Sequence, residues 1–262
     1  MGLFTNWRRR RILKKHLIPY GEWQAAITSL PVLKGLSHEE LVRLRELATL
    51  FLYEKSLEPV QGLVLNDAMR IDLAAQATLP VLHLGLGWYD GWQSLVLHPA
   101  EFVTRHVWTD EAGLVHTRRE IRSGEAWDRG PVVLSWADVA VSGNCDGYNA
   151  VIHELAHKLD YTNGTMDGCP AFHEGMALHD WYAAFEPAFE DLRRRVESGG
   201  KSALDPYGAE SPQEFFAVMS EHFFETPALL QAIYPAVYQQ LRLFYRQDPA
   251  ARPSACARHH LR

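Results

Sequence analysis

The stretch Asn149-Ala150-Val151-Ile152-His153-Glu154-Leu155-Ala156-His157-Lys158-Leu159-Asp160 carries the pattern His-Glu-x-x-His. In a helix, residues four apart lie on one face, one turn above each other. His153 and His157 can then reach the same metal ion. The pattern predicts a helix over 149–161. Ile152, Leu155 and Leu159 point away from the two histidines and face a core, so the histidine face lines a cleft. Imidazole nitrogens with an open coordination position favour zinc, one ion per chain. Glu154 sits beside the first histidine and cannot easily bind the same ion. Its chemistry is that of a general base on a zinc-bound water, whose pKa zinc lowers to about 7. The competing reading is a surface helix that carries an i,i+4 histidine pair. The apolar back face opposes it.

Outward from this helix the chain divides into three parts. The first third reads as helical. Ser37 with Glu40 forms a capping box, and Leu41, Leu44, Ala48 and Phe51 recur at helical spacing. A second helix is expected over 67–79, ended by Pro80. The middle reads as short strands over 94–98, 114–117 and 132–136, punctuated by Gly113, Gly124, Gly130 and Pro131. From Asn149 onward helices return, over 149–161, 175–197, 212–225 and 227–247. Helices, then a small sheet, then helices define the class α+β.

A third metal ligand is needed. The longer His-Glu-x-x-His-x-x-Gly-x-x-His pattern is excluded, because Asp160 and Asn163 stand where it needs glycine and histidine. Asp167, His173 and His179 are nearby alternatives. Glu214 lies on a later helix, with Glu221 and Glu225 as rivals. Glu214 also fits N3 of a Ser-x-x-Glu capping box, with Pro212 at N1, and capping alone explains its type. Glu214 and Glu221 lie about 20° apart around the helix, so one can bind metal while the other orients a histidine. Asp160 is another orienting candidate.

Composition sets the bounds. The chain has 262 residues, of which 47% are hydrophobic and 22% charged, and a formal net charge of −6. That is ordinary for a globular protein, and the acidic balance argues against direct nucleic-acid binding. Cys145, Cys169 and Cys256 form no CxxC pair, which argues against a disulfide framework and for a reducing compartment. No segment has the length of a signal peptide or a membrane span, so stable membrane insertion is not expected. Asn6 takes Gly2 out of a myristoylation pattern. The expected organisation is a flexible basic leader over 1–20, one domain over 21–250 and a flexible tail over 251–262.

The runs HELAHKLDYTNG (153–164), YGAESPQEFFAVMSEHFF (207–224) and LPVLHLGLGWYDGWQSLVLHP (79–99) resemble the bacterial Mlc titration factor A family. The resemblance covers about residues 20 to 250. More distantly, Tyr207, Gly208, Glu214, Phe215, Phe216 and Ala217 are similar to a run in the catalytic domain of anthrax lethal factor. The resemblance implies a zincin-like fold, with a small mixed sheet packed on the active-site helix. It implies zinc held by His153, His157 and Glu214, with Glu154 as general base. Tyr207 is implied as a donor to the oxyanion of the tetrahedral intermediate. It further implies aminopeptidase-type activity on peptides and, in the cytoplasm, binding of a Mlc-type repressor of glucose uptake. The alternative is a repressor-sequestering protein whose zinc site is mainly structural. An intact Glu154 opposes that alternative, because coordination alone does not need it.

Overall fold

The computed structural model describes residues 3–100, 102–109, 115–122, 124–126, 130–200, 202–253 and 256. Three helices come first, α1 (Leu3–His16), α2 (Tyr20–Thr28) and α3 (His38–Glu54). Strand β1 (Ser56–Pro59) and helix α4 (Asp67–Thr78) follow. The remaining strands are β2 (Ser94–His98), β3 (Phe102–Thr109), β4 (Val115–Arg122), β5 (Gly124–Ala126) and β6 (Val132–Ser135). Helices α5 (Trp136–Val141), α6 (Ala150–Asp160), α7 (Leu178–Glu197), α8 (Pro212–Glu225), α9 (Pro227–Ile233) and α10 (Pro235–Tyr245) complete the chain. The class is α+β.

Local chemistry starts these helices where the sequence marks them. Ser37 and Glu40 form the reciprocal capping box of α3, at 3.1 and 2.8 Å. Asn66 caps α4 by accepting the Met69 N–H at 2.9 Å. Asn149 caps α6 by accepting the Ile152 N–H at 3.0 Å. Each bond satisfies an N–H that the helix itself leaves unpaired.

The four-stranded sheet has the order β1-β2-β6-β5. Strands β1, β2 and β6 run parallel, and β5 runs antiparallel to β6. Leu95, Leu97, Val132 and Leu134 are fully buried on this sheet. Strands β3 and β4 pair with each other as a separate antiparallel ribbon. Helix α6 runs beside β5 and β6 on one side and meets α4 and α8 on others.

Several expectations are corrected here. The leader over 1–20 is not a free arm, since most of it is α1. Ile12 is buried, and Arg9 donates from Nε and Nη2 to Glu54 on α3 at 3.0 and 2.8 Å. One isoleucine and one ion pair are too sparse to register as helical periodicity. Strand β1 has little apolar content, and its pairing with β2 makes it a strand. Trp136 opens α5 rather than ending a strand. The expected helix over 227–247 is two helices. Pro235 drives Tyr234 out of helical geometry, to φ −127° and ψ 71°. Cys145 and Cys256 form a disulfide across 111 residues, leaving Cys169 as the free, buried cysteine. Partners that far apart leave no local signature, and the pairing removes the ground for a reducing compartment. Of the expected strand over 114–117, Leu114 lies outside the described residues. So does Gly113, and so does most of the tail over 251–262.

The C-terminal helices pack through aromatic rings. Trp181 on α7 stacks on Phe185, with ring centroids 4.1 Å apart. Phe216 on α8 lies 5.8 Å from the Trp181 ring and 6.0 Å from that of Phe244 on α10. This cluster seats α8, and Phe216 is its fully buried hub. Phe216→Ala should cost about 3–5 kcal/mol of stability in urea denaturation. An unchanged midpoint and slope would show that this packing does not hold α8.

Candidate metal centre

Helices α6 and α8 carry the centre, and both are buried on nearly every side. Val151, Ile152, Leu155 and Leu159 place α6 in the core, as Phe215, Phe216, Val218 and Met219 place α8. The loop after α6 meets the start of α8 at Gly168, which has φ +80°. A Cβ there would lie 2.4 Å from the Pro212 carbonyl oxygen, so only glycine allows this approach.

Three side chains converge. His153 Nε2 lies 3.1 Å from Glu214 Oε2, and His157 Nε2 lies 3.3 Å from the same oxygen. The two imidazoles meet edge to face, with centroids 5.0 Å apart and planes at 81°. One donor atom from each of His153, His157 and Glu214 falls within 4.8 Å of the others. Two imidazole nitrogens and one carboxylate oxygen on a common focus make a donor set that can hold a metal ion.

Glu214 does not form the reciprocal capping box. Its N–H donates to Ser211 Oγ at 3.3 Å, so the serine half of the cap exists. Its carboxylate turns to the histidines instead. Glu221, two turns further along α8, takes the orienting place. Its Oε1 lies 2.8 Å from His153 Nδ1, and its Oε2 accepts the Asn149 N–H at 2.5 Å. The network continues inward. Asn149 Nδ2 donates to Glu225 Oε1 at 2.8 Å and to Gln76 Oε1 at 3.0 Å, while the Cys145 N–H donates to Glu225 Oε2 at 2.6 Å. Asn149 is legible in the sequence as a helix cap. Its bonds to residues more than seventy positions away are not.

Electrostatics follow this geometry. Burial alone would lower the His153 imidazole, but hydrogen bonds to Glu214 and Glu221 raise it well above its ordinary value. Both of its nitrogens face carboxylates; a metal ion at Nε2 would take the place of the proton there, and Nδ1–H would stay on Glu221. Burial would raise Glu214, yet the same bonds to His153 and His157 carry it well below the usual carboxylate range. Burial dominates at His157 and lowers it, which favours the neutral imidazole that a metal requires.

The other sequence candidates lie elsewhere. Asp160 does not orient His157. Its Oδ2 accepts the Gly168 N–H at 2.8 Å, and His157 Nδ1 has no hydrogen-bond partner among the described residues. Asp167 caps its own loop by accepting the Cys169 N–H at 3.2 Å. His173 faces the carbonyl oxygens of Leu243 and Phe244, and His179 is exposed. Glu154 is buried beside the cluster. The Tyr207 ring stands 5.9 Å from that of His153, half-exposed. A cavity of about 1000 Å³, lined in part by Trp88, Trp92, Tyr161 and Phe172, opens at the C-terminal end of α6.

A buried pair of histidines on one helix, with a carboxylate from another, is an arrangement that can hold a metal ion. Family comparison agrees. Residues 4–246 match the family described as glucose-regulated metallo-peptidase M90. Mlc titration factor A of Pectobacterium atrosepticum is 42% identical over 236 residues, covering 88% of this chain and 87% of the relative. That of Escherichia coli strain 55989 is 40% identical over 232 residues, with the same coverage. That of Enterobacter sp. strain 638 is 38% identical over 248 residues, covering 94% and 92%. The chain belongs to the M90 metallopeptidase family, the family of Mlc titration factor A.

Two outcomes follow from this geometry. Glu221→Gln removes the charge that holds His153 Nδ1–H, so zinc affinity should fall about 10- to 100-fold in chelator competition. Unchanged affinity would remove Glu221 from the centre. Asp160 is held up at about 7, chiefly by burial. Between its unfolded value near 4 and about 7, the folded state keeps a proton that the unfolded chain has lost, so stability falls as pH rises. In chelator-treated protein, Asp160→Asn should therefore stabilise more at pH 8 than at pH 5. An equal effect at both pH values would show that Asp160 carries no charge penalty.

Proposed function

We propose that the chain is a zinc-dependent peptidase, aminopeptidase-like in its preference for small peptides. The observation that supports this best is the convergence of His153 Nε2, His157 Nε2 and Glu214 Oε2 within 4.8 Å. These three residues would hold the ion. Zinc, when bound, supplies a Lewis acid that acidifies water and polarises the scissile carbonyl. Glu154, next to His153 on α6, takes the proton of the attacking water and delivers it to the leaving amine. Tyr207 donates its hydroxyl proton in a hydrogen bond to the oxygen that gains charge. Glu221 keeps the His153 ring in place throughout. In this reading the fold is zincin-like.

The names of the relatives support a second role. A Mlc titration factor is one that engages Mlc, and we extend that to this chain as binding of a Mlc-type repressor in the cytoplasm. There the Cys145–Cys256 pair meets a reducing thiol pool. Direct nucleic-acid contact has no part in this role. No described helix is long and apolar enough to cross a membrane.

Glu154→Gln separates the two roles. Hydrolysis of alanyl p-nitroanilide should fall at least about 100-fold, with near one zinc per chain retained. Repressor binding should be unchanged. Full hydrolysis by the zinc-loaded variant would sink the catalytic assignment. Glu214→Ala should instead lower zinc content itself, and normal content would remove Glu214 from the ligand set.

A further inference from the structure

We propose that His222 is a positioning residue that sets the turn carrying Tyr207 against the metal centre. The proposal rests on the role of Tyr207 given above. His222 follows Glu221 on α8, rotated by about 100° around the helix axis. Its imidazole is buried, with 4% of the residue exposed.

Among its contacts, two hydrogen bonds orient the ring. Its Nε2 accepts the Asp205 N–H at 3.2 Å. Its Nδ1 lies 2.7 Å from Thr226 Oγ1. An imidazole nitrogen that accepts a backbone N–H must keep its lone pair. The proton therefore sits on Nδ1 and is donated to Thr226. The ring is also wedged from the α6 side. Gly147 has φ +101°, and a Cβ there would lie 2.8 Å from His222 Cε1.

From Asp205 the path to Tyr207 is short. Asp205 Oδ1 accepts the Tyr207 N–H at 2.9 Å and caps the single turn Pro206–Ala209. That turn packs on both α7 and α8 and presents the Tyr207 ring to His153. Adjacent residues of α8 thus divide the work. Glu221 sets the His153 imidazole, and His222 sets the backbone from which Tyr207 reaches the site. A hydrogen-bond donor aimed at developing charge helps only when it is already in place, so loss of His222 should lower kcat rather than raise KM.

The test compares zinc-loaded full-length wild type with His222→Phe, His222→Gln, Tyr207→Phe and the double variant His222→Phe/Tyr207→Phe. Alanyl p-nitroanilide is the substrate, and hydrogen exchange is followed over residues 202–210. His222→Phe should lower kcat about 10- to 100-fold, with KM and zinc content little changed. It should also speed exchange over 202–210. His222→Gln, whose amide oxygen can accept the Asp205 N–H, should restore most of both. Added to Tyr207→Phe, the His222 change should cost little more, because both act through one hydroxyl. Additive losses, or unchanged exchange over 202–210, would overturn the proposal. Faster exchange alongside a fully active Tyr207→Phe would support the positioning and reject the catalytic role of Tyr207. If His222→Phe does not fold, Thr226→Val removes the Nδ1 acceptor but keeps the ring, and the same readouts apply.

Discussion

One buried carboxylate, that of Glu221, holds the two halves of the centre together. It accepts the Asn149 N–H and faces His153 Nδ1. A carboxylate in such a place is tolerable only if its oxygens are bonded, and leaving it without partners would be costly. It also stands at the N-terminus of α6, where unpaired N–H groups and the helix dipole favour negative charge. These requirements fix how α8 lies along α6. With that register set, Glu214 falls at the Nε2 atoms of both histidines. The geometry of the cluster is thus inherited from a helix–helix contact rather than built by flexible side chains.

Local features of the centre were legible in the sequence, and long-range ones were not. His153 and His157 are four apart on one helix, so their shared face follows from helical pitch alone. The capping box at Ser37 and Glu40 is equally local, and so is the alternation in Ser94–His98. Glu214 was ambiguous because one residue type serves two purposes at that position. The structure resolves this atom by atom, with the backbone N–H on Ser211 and the carboxylate on the imidazoles. Asp160 misleads for the opposite reason. Its place on the histidine face is correct, but the Gly168 N–H of the following loop claims its side chain. The Cys145–Cys256 pair and the docking of α1 through Ile12 and Arg9 depend on contacts between distant segments, which leave no periodic trace.

The same scaffold serves both proposed roles in different ways. Hydrolysis draws on the cleft where α6 and α8 hold His153, Glu154, His157 and Glu214, with Tyr207 at its exposed edge. Binding a repressor draws on the exterior, which the ligands do not reach. Two such roles can vary independently, because a surface substitution need not disturb the Glu221 contact and a change at Glu154 need not alter the surface.

The separation of the ligands along the chain also sets when the centre can exist. His153 and Glu214 are 61 residues apart, and His153 and Glu221 are 68 apart. During synthesis, α6 leaves the ribosome with its two histidines long before α8 does. Until α8 docks, the pair offers an ion only two nitrogens on a short helix, with neither the carboxylate ligand nor the contact that orients His153. A metal ion held by all three side chains would therefore require that α8 has already docked on α6. A chain that ends before α8 lacks Glu214 and Glu221, and so lacks the carboxylate half of the cluster.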